Sequence, residues 1–210
     1  MIRLDPFYPI VPDAGLLARL VGQGVKLIQL RIKGAKQDAI RREIDEALRV
    51  CAAHQCQLVV NDHWREAIEA DADFVHLGQE DLAAADLAAI KAAGMKLGVS
   101  THSAAELATA LAADPDYVAL GPVYATSLKA MPWGPQGLPR IAEWRSKISC
   151  PLVAIGGITL ERAPIVLAAG ADSVAVITDI MTSQDPELHT RNWLAATAPW
   201  RNLSTDHPQG

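Results

Sequence analysis

The chain has 210 residues, 50% of them hydrophobic and 20% charged, a composition typical of one folded domain with an aliphatic core. The formal net charge of −5 argues against a broad nucleic-acid-binding surface, so an anionic ligand must be held by a local cluster of residues. The three cysteines form no Cys-x-x-Cys pair and indicate neither a zinc site nor a disulfide framework, which fits a reducing cytoplasm.

The first twelve residues contain an aspartate and several prolines, where a secretion signal would need a basic start and a long apolar stretch. No apolar run approaches the roughly 20 residues that cross a bilayer. We therefore expect a cytoplasmic protein without a membrane partner.

Short β-branched runs alternate with Ala- and Leu-rich stretches of helical spacing along the whole chain. Strands are predicted at 7–11, 25–31, 57–61, 73–77, 96–100, 117–121, 152–155 and 173–177. Helices are predicted between them, for example at 36–54, 83–93, 103–113 and 160–169, with Gly94 and Gly170 at helix ends.

Strict alternation implies parallel strands joined by right-handed crossovers. Eight such units close most economically into a (β/α)8 TIM barrel, an α/β fold, and an open doubly wound sheet is the alternative. We predict one catalytic domain over residues 1–199 and a flexible C-terminal tail over 200–210. The long connection 122–135, rich in proline and glycine, is typical of a binding loop or lid.

Polar residues follow the predicted strands at their carboxyl ends, where barrel enzymes carry their active sites. Alternation along the second strand places Gln29, Arg31 and Lys33 on one side. With Lys129 from the long loop they form a candidate anion cradle. A solvated strand end is the simpler interpretation of the basic pair alone.

Two aspartates, Asp62 and Asp81, follow the third and fourth strands, which are neighbours in a barrel. Their carboxylates, completed by phosphate oxygens and water, are the hard ligands that Mg2+ prefers. Each aspartate taken alone is also typical of a helix N-cap.

A pair of glycines, Gly156 and Gly157, separates the seventh strand from the next helix, and Thr178 follows the eighth strand. Backbone N–H groups at these two turns match the phosphate site that many barrels build there, although a plain tight turn would also need the glycines. His76 falls inside a strand as a packed residue, and His102 stands at a strand mouth. Since no Ser/His/Asp arrangement is visible, the residues favour electrostatic catalysis around phosphates.

Six segments in chain order, QLRIKG (29–34), NDHW (61–64), VHLGQEDL (75–82), LGVSTH (97–102), the 126–129 loop and VAIGGI (153–158), resemble the thiamine phosphate synthase family. They cover nearly the whole chain and look most like its proteobacterial branch. The resemblance implies an enzyme that condenses a hydroxymethylpyrimidine diphosphate with a hydroxyethylthiazole phosphate. The products are thiamine phosphate and pyrophosphate.

The family's site residues carry over by position. The resemblance implies pyrimidine diphosphate binding by Gln29, Leu30, Arg31, Ile32, Lys33, Asn61, Ser100 and Lys129. It implies thiazole phosphate binding by Thr126, Ser127, Leu128, Gly157, Ile177 and Thr178. Asp62 and Asp81 would hold one Mg2+ per active site, and Lys129, Arg31 and Lys33 would stabilise the leaving diphosphate.

Two positions depart from the family pattern. The loop that usually reads Pro-Thr-x-Thr-Lys has Leu128 in place of its second threonine, and Thr178 replaces a serine. A lost hydrogen bond to a charged phosphate costs about 1.5 to 3 kcal/mol, unless Ser127 or a backbone N–H substitutes for it. A thiazole tautomerase-like isomerase and a non-catalytic thiazole phosphate binder are the alternative functions. Homo-oligomerisation is possible but has no sequence signal.

Overall fold

Eight parallel strands form a closed barrel in the computed structural model, each paired with the next strand along the chain. The structure describes residues 2–126 and 134–201. The strands are β1 (Phe7–Val11), β2 (Leu27–Leu30), β3 (Gln57–Asn61), β4 (Phe74–Leu77), β5 (Lys96–Thr101), β6 (Tyr117–Leu120), β7 (Leu152–Ile155) and β8 (Ser173–Val176). Pairing of β1 with β8 closes the barrel, so the predicted TIM barrel is confirmed and the open sheet is excluded.

Helices cover the outside of the barrel and follow the strands in chain order. They are α1 (Ala14–Val21), α2 (Gln37–His54), α3 (Trp64–Glu69), α4 (Gln79–Ala84), α5 (Leu87–Ala92), α6 (Ala104–Ala112), α7 (Gly137–Arg145), α8 (Ala163–Ala168), α9 (Thr178–Met181) and α10 (Pro186–Arg201). The single helix predicted at 83–93 is wrong. Two short helices occupy the region because the Asp86 carboxylate accepts the Ala89 N–H at 3.0 Å and begins α5 afresh.

The strands are buried on both faces, as a barrel covered by helices requires. Alternate residues point outward against the helices, where Phe7 stacks on Trp193 of α10 with ring centroids 5.1 Å apart. The residues between them fill the barrel interior and include Tyr8, Phe74 and Tyr117. The barrel interior is therefore a core packed with side chains.

The last helix, α10, continues through Trp200 and Arg201, two residues past the predicted end of the barrel domain. Arg201 donates from Nε to the Asp5 carboxylate at 2.7 Å, which ties the helix to the segment before β1. Residues 202–210 lie outside the described part of the chain. Among the described residues, no helix is both long and apolar enough to span a bilayer.

Candidate active site

A cavity of about 430 Å³ opens at the carboxyl ends of the strands, where enzymes with this fold carry their active sites. Segments following β2 through β8 contribute to its wall. The predicted site residues that line it are Arg31, Lys33, Asn61, Asp62, Asp81, Ser100, Thr126, Gly157, Ile177 and Thr178. Ser127, Leu128 and Lys129 lie outside the described residues.

The segment after β2 presents its two cations to the cavity, as alternation predicted. Arg31 and Lys33 line the wall, while Leu30 and Ile32 are buried between the barrel and the helices. Lys33 donates from Nζ to the Asp62 carboxylate at 2.5 Å. Any contact of Leu30 or Ile32 with a ligand in the cavity is therefore limited to the backbone.

Asp62 and Asp81 meet at the mouth, within hydrogen-bonding reach of each other. Burial raises the pKa of Asp62, but the hydrogen bond and charge of Lys33 outweigh it and lower the net pKa. Burial and the neighbouring Asp62 carboxylate raise the pKa of Asp81. Lys33 supplies one positive charge beside Asp62, and a proton or a metal ion between the carboxylate oxygens would stabilise the pair further.

Neither aspartate is a helix N-cap, so that alternative is wrong for both. The N-caps of α3 and α4 are His63 and Gly78. Asp62 has a left-handed backbone, with φ of 64°, an arrangement costly for a residue with a side chain and concentrated at functional sites. Its N–H donates to the His76 carbonyl at 2.9 Å, which fixes the turn against β4.

Asn61 stands at the end of β3 with its side chain buried and facing the cavity. Its Nδ2 group has no hydrogen-bond partner among the residues that the structure describes. A buried amide without an acceptor is costly in a folded protein. The observation favours a ligand that brings an acceptor oxygen to this point.

Beneath the cavity, buried polar side chains form a chain of hydrogen bonds across the barrel. Gln29 is only 2% exposed and donates from Nε2 to the Tyr8 hydroxyl at 2.8 Å. Tyr8 lies 3.0 Å from the Tyr117 hydroxyl, which lies 2.7 Å from His76 Nδ1. His76 Nε2 is 2.8 Å from Ser100 Oγ. Gln29 thus lies a layer below the cavity wall, and its role in recognising the pyrimidine stays a prediction.

His76 joins this chain of hydrogen bonds as a neutral side chain. Burial lowers the pKa of His76 to about 4, so the imidazole is neutral at physiological pH and has one donor and one acceptor nitrogen. Each imidazole nitrogen faces one hydroxyl, and one nitrogen donates while the other accepts. The chain thereby holds Ser100, which lines the cavity, in a fixed position.

On the other side of the mouth, the turn after β7 exposes backbone N–H groups. Gly156 and Gly157 have positive φ values of 98° and 63°, which glycine adopts without strain. Within residues 2–126 and 134–201, the N–H groups of Gly157 and Ile158 have no hydrogen-bond acceptor. The turn into α9 adds Ile177 and Thr178 to the same wall. The structure therefore brings these predicted residues together in one wall, and phosphate binding by them stays a prediction.

Sequence reasoning missed some residues that shape the site. It did not identify Tyr8 and Tyr117 as partners of His76, since their strands are distant in sequence. It also gave no role to Gln79, whose Nε2 donates to the Ser100 carbonyl at 2.6 Å, and did not identify Arg162, which contacts Gly157. The available signal for Gln79 was its position directly after a strand end. His102 lines the cavity, as expected.

Known proteins resemble the chain across this whole structure. A thiamine-phosphate synthase from Rhizobium etli is 63% identical over 203 residues, covering 96% of this chain and 100% of the relative. A thiamine-phosphate synthase from Neisseria meningitidis is 48% identical, and the match covers 86% of this chain and 89% of the relative. A solved thiamine phosphate pyrophosphorylase from Pyrococcus furiosus superposes with a TM-score of 0.82 at 26% identity, over 93% of this chain and 96% of that one. The family model described as thiamine monophosphate synthase matches residues 11–180, and the chain belongs to this family.

Proposed function

We propose that the chain condenses 4-amino-2-methyl-5-hydroxymethylpyrimidine diphosphate with 4-methyl-5-hydroxyethylthiazole phosphate to give thiamine phosphate and pyrophosphate. The observation that carries the proposal is that one cavity is lined by two separate groups suited to bind anions. Arg31 and Lys33 lie after β2, and the Gly157 turn lies after β7, across the barrel. The relatives named thiamine-phosphate synthase supply the identity of the product.

The wall formed by β2 to β5 suits the pyrimidine diphosphate. Arg31 and Lys33 supply positive charge, and Asn61 supplies an amide that has no acceptor in the described part of the chain. Ser100 supplies a hydroxyl that lines the cavity and is held by His76. We assign Lys129 to the same diphosphate by the family resemblance. The opposite wall, with Thr126, Gly157 and Thr178, suits the thiazole phosphate.

Asp62 and Asp81 have the donor chemistry for one Mg2+. Both are hard oxygen donors at one point of the cavity wall, and no larger carboxylate or histidine cluster competes for a metal among the described residues. Two protein ligands leave room for water and phosphate oxygens in an octahedral shell. When bound, the cation would neutralise charge on the diphosphate.

The residue chemistry supports a dissociative reaction. The C–O bond to the diphosphate breaks first, its electron pair leaves with the diphosphate, and the aminopyrimidine stabilises the resulting cation. The thiazole nitrogen then forms the C–N bond with its lone pair, so no proton has to be removed. Neutral His76, held between Tyr117 and Ser100, fits a site that works by charge stabilisation.

The decisive experiment measures pyrophosphate release by the purified chain. Release should require both substrates and Mg2+, and EDTA should abolish it. Asp81→Asn should raise the Mg2+ concentration needed for half-maximal rate. Release from the pyrimidine diphosphate alone, or binding of both substrates without any release, would contradict the proposal.

The same assay separates the two alternatives. An isomerase acting on the thiazole would have no use for the Arg31, Lys33, Asp62 and Asp81 wall, which the structure assembles. A non-catalytic binder would bind thiazole phosphate without releasing pyrophosphate. The cytoplasmic location, the absence of nucleic-acid partners and homo-oligomerisation stay predictions.

A further inference from the structure

Arg162, just before α8, contacts the turn after β7 and does not line the cavity. Its Nη1 donates to the Gly157 carbonyl at 2.6 Å. Its guanidinium carbon lies 4.4 Å from the centre of the Tyr124 ring, within the range of a cation–π contact. Arg162 is exposed, and two independent contacts restrict its long side chain to this position.

The carbonyl that Arg162 holds belongs to the peptide joining Gly157 and Ile158. A trans peptide is planar, so its N–H points opposite to its C=O. Ile158 lines the cavity at 4% exposure, and its N–H has no acceptor within the described part of the chain. Holding the carbonyl toward Arg162 therefore directs the Ile158 N–H away from it.

Arg162 lies where two loops of the site meet, the loop after β6 and the turn after β7. Val123 and Tyr124 donate their N–H groups to the carbonyls of Ile155 and Gly156 at 2.9 and 3.0 Å. A Cβ atom at Gly157 would come within 2.4 Å of the Ala125 carbonyl oxygen, so the loops are in close contact. Arg162 spans this junction, since one contact lies on each loop.

We propose that Arg162 is a positioning residue for the thiazole phosphate, acting through the Gly157–Ile158 peptide. Glycine permits wide backbone rotation at 157, and the bond from Arg162 selects the orientation in which the Ile158 N–H donates to the phosphate. The guanidinium charge also polarises this peptide and strengthens its N–H as a donor. The inference depends on the proposed function only for the identity of the phosphate ester.

Isothermal titration calorimetry with thiazole phosphate alone tests the inference on the full chain. Arg162→Gln should raise the Kd about tenfold, which is the usual effect of losing one hydrogen bond to a charged group. Arg162→Lys should recover part of the affinity because an ammonium can still reach the carbonyl. Tyr124→Leu should weaken binding by removing the ring, and Tyr124→Phe should bind normally.

Arg49→Gln is the matched control, because Arg49 is an exposed helical arginine paired with Glu46 and does not line the cavity. Its Kd should equal that of the unaltered chain, and Tm and the Kd for pyrimidine diphosphate should stay constant in Arg162→Gln. An unchanged thiazole phosphate Kd in Arg162→Gln, or equal weakening for both substrates, overturns the inference. Pyrophosphate release by the unaltered chain tests the proposed function separately, since calorimetry detects this contact with or without turnover.

Discussion

At the scale of single residues, the ring of Tyr117 occupies space that only a glycine leaves free. Gly98 on β5 is paired with Tyr117 on β6, and a Cβ atom at position 98 would lie 2.2 Å from the ring carbon Cζ. Tyr117 cannot move away without breaking its hydrogen bonds to Tyr8 and His76. Gly98 is therefore required by the buried chain that ends at Ser100.

We expect Gly98→Ala to lower the free energy of unfolding by about 1 to 3 kcal/mol, the usual cost of overpacking a core. Activity should fall as well, since a displaced Tyr117 no longer orients His76. Urea unfolding and pyrophosphate release measure the two effects. Gly134→Ala is the control for stability, because a Cβ atom there has no neighbour within 4 Å among the residues that the structure describes. Equal stability of the two variants would show that the barrel interior relaxes around the added methyl group.

The sequence predicts which face of a strand a side chain occupies more readily than how far below the barrel mouth it lies. Alternation placed Gln29, Arg31 and Lys33 together, and the last two do line the cavity. Gln29 lies deeper because Tyr8, on the neighbouring strand, supplies a hydrogen-bond partner below the mouth. That partnership depends on barrel closure and on strand register, neither of which one strand's sequence contains.

At the scale of elements, the buried hydrogen-bond chain joins side chains from β1, β2, β4, β5 and β6. His76 is its only titratable group with a pKa near the working range, and burial lowers that pKa to about 4. An unfolded histidine titrates near 6.5. The unfolded state therefore binds the proton more readily, so stability is lost as pH falls from about 6.5 towards 4.

This difference should remove about 2 kcal/mol of stability between pH 7.5 and pH 5. We expect His76→Asn to be less stable than the unaltered chain at neutral pH. Its free energy of unfolding should change less between the two pH values, and the difference should equal that amount. Urea unfolding of both proteins in EDTA at the two pH values measures it, and EDTA removes any effect of metal on Asp62. Parallel pH profiles would mean that His76 is already protonated in the folded chain at pH 5.

Helix boundaries show which local signals a sequence carries. The strands were predicted closely because each is an apolar run bounded by turns, as at β3 and β7. The 83–93 prediction failed because an alanine-rich sequence favours helix throughout, and hydrophobic spacing does not show where a cap interrupts it. Asp86 was the available signal, since an aspartate before an apolar run is typical of an N-cap.

At the scale of the whole molecule, one ion pair joins the two ends of the described fold. Asp5 precedes β1, and its side chain is 9% exposed. Besides Arg201 it accepts the Phe7 N–H at 3.0 Å. Arg201, at the end of α10, also donates to the Leu194 carbonyl at 2.8 Å. The pair therefore holds the last helix across the β1–β8 closure.

Arg201→Ala should lower the free energy of unfolding by about 2 kcal/mol, because it leaves a largely buried carboxylate without its cation. The predicted value lies below that of a fully buried pair, since Arg201 is 25% exposed. Arg201→Ala with Asp5→Asn should recover part of the loss by removing the unpaired charge. Arg49→Ala, which breaks an exposed pair within one helix, should leave Tm unchanged. If Arg201→Ala behaved like Arg49→Ala, the other contacts of α10, such as those of Trp193 with Phe7 and Asp179, would suffice to hold the helix, and the barrel would close without this ion pair.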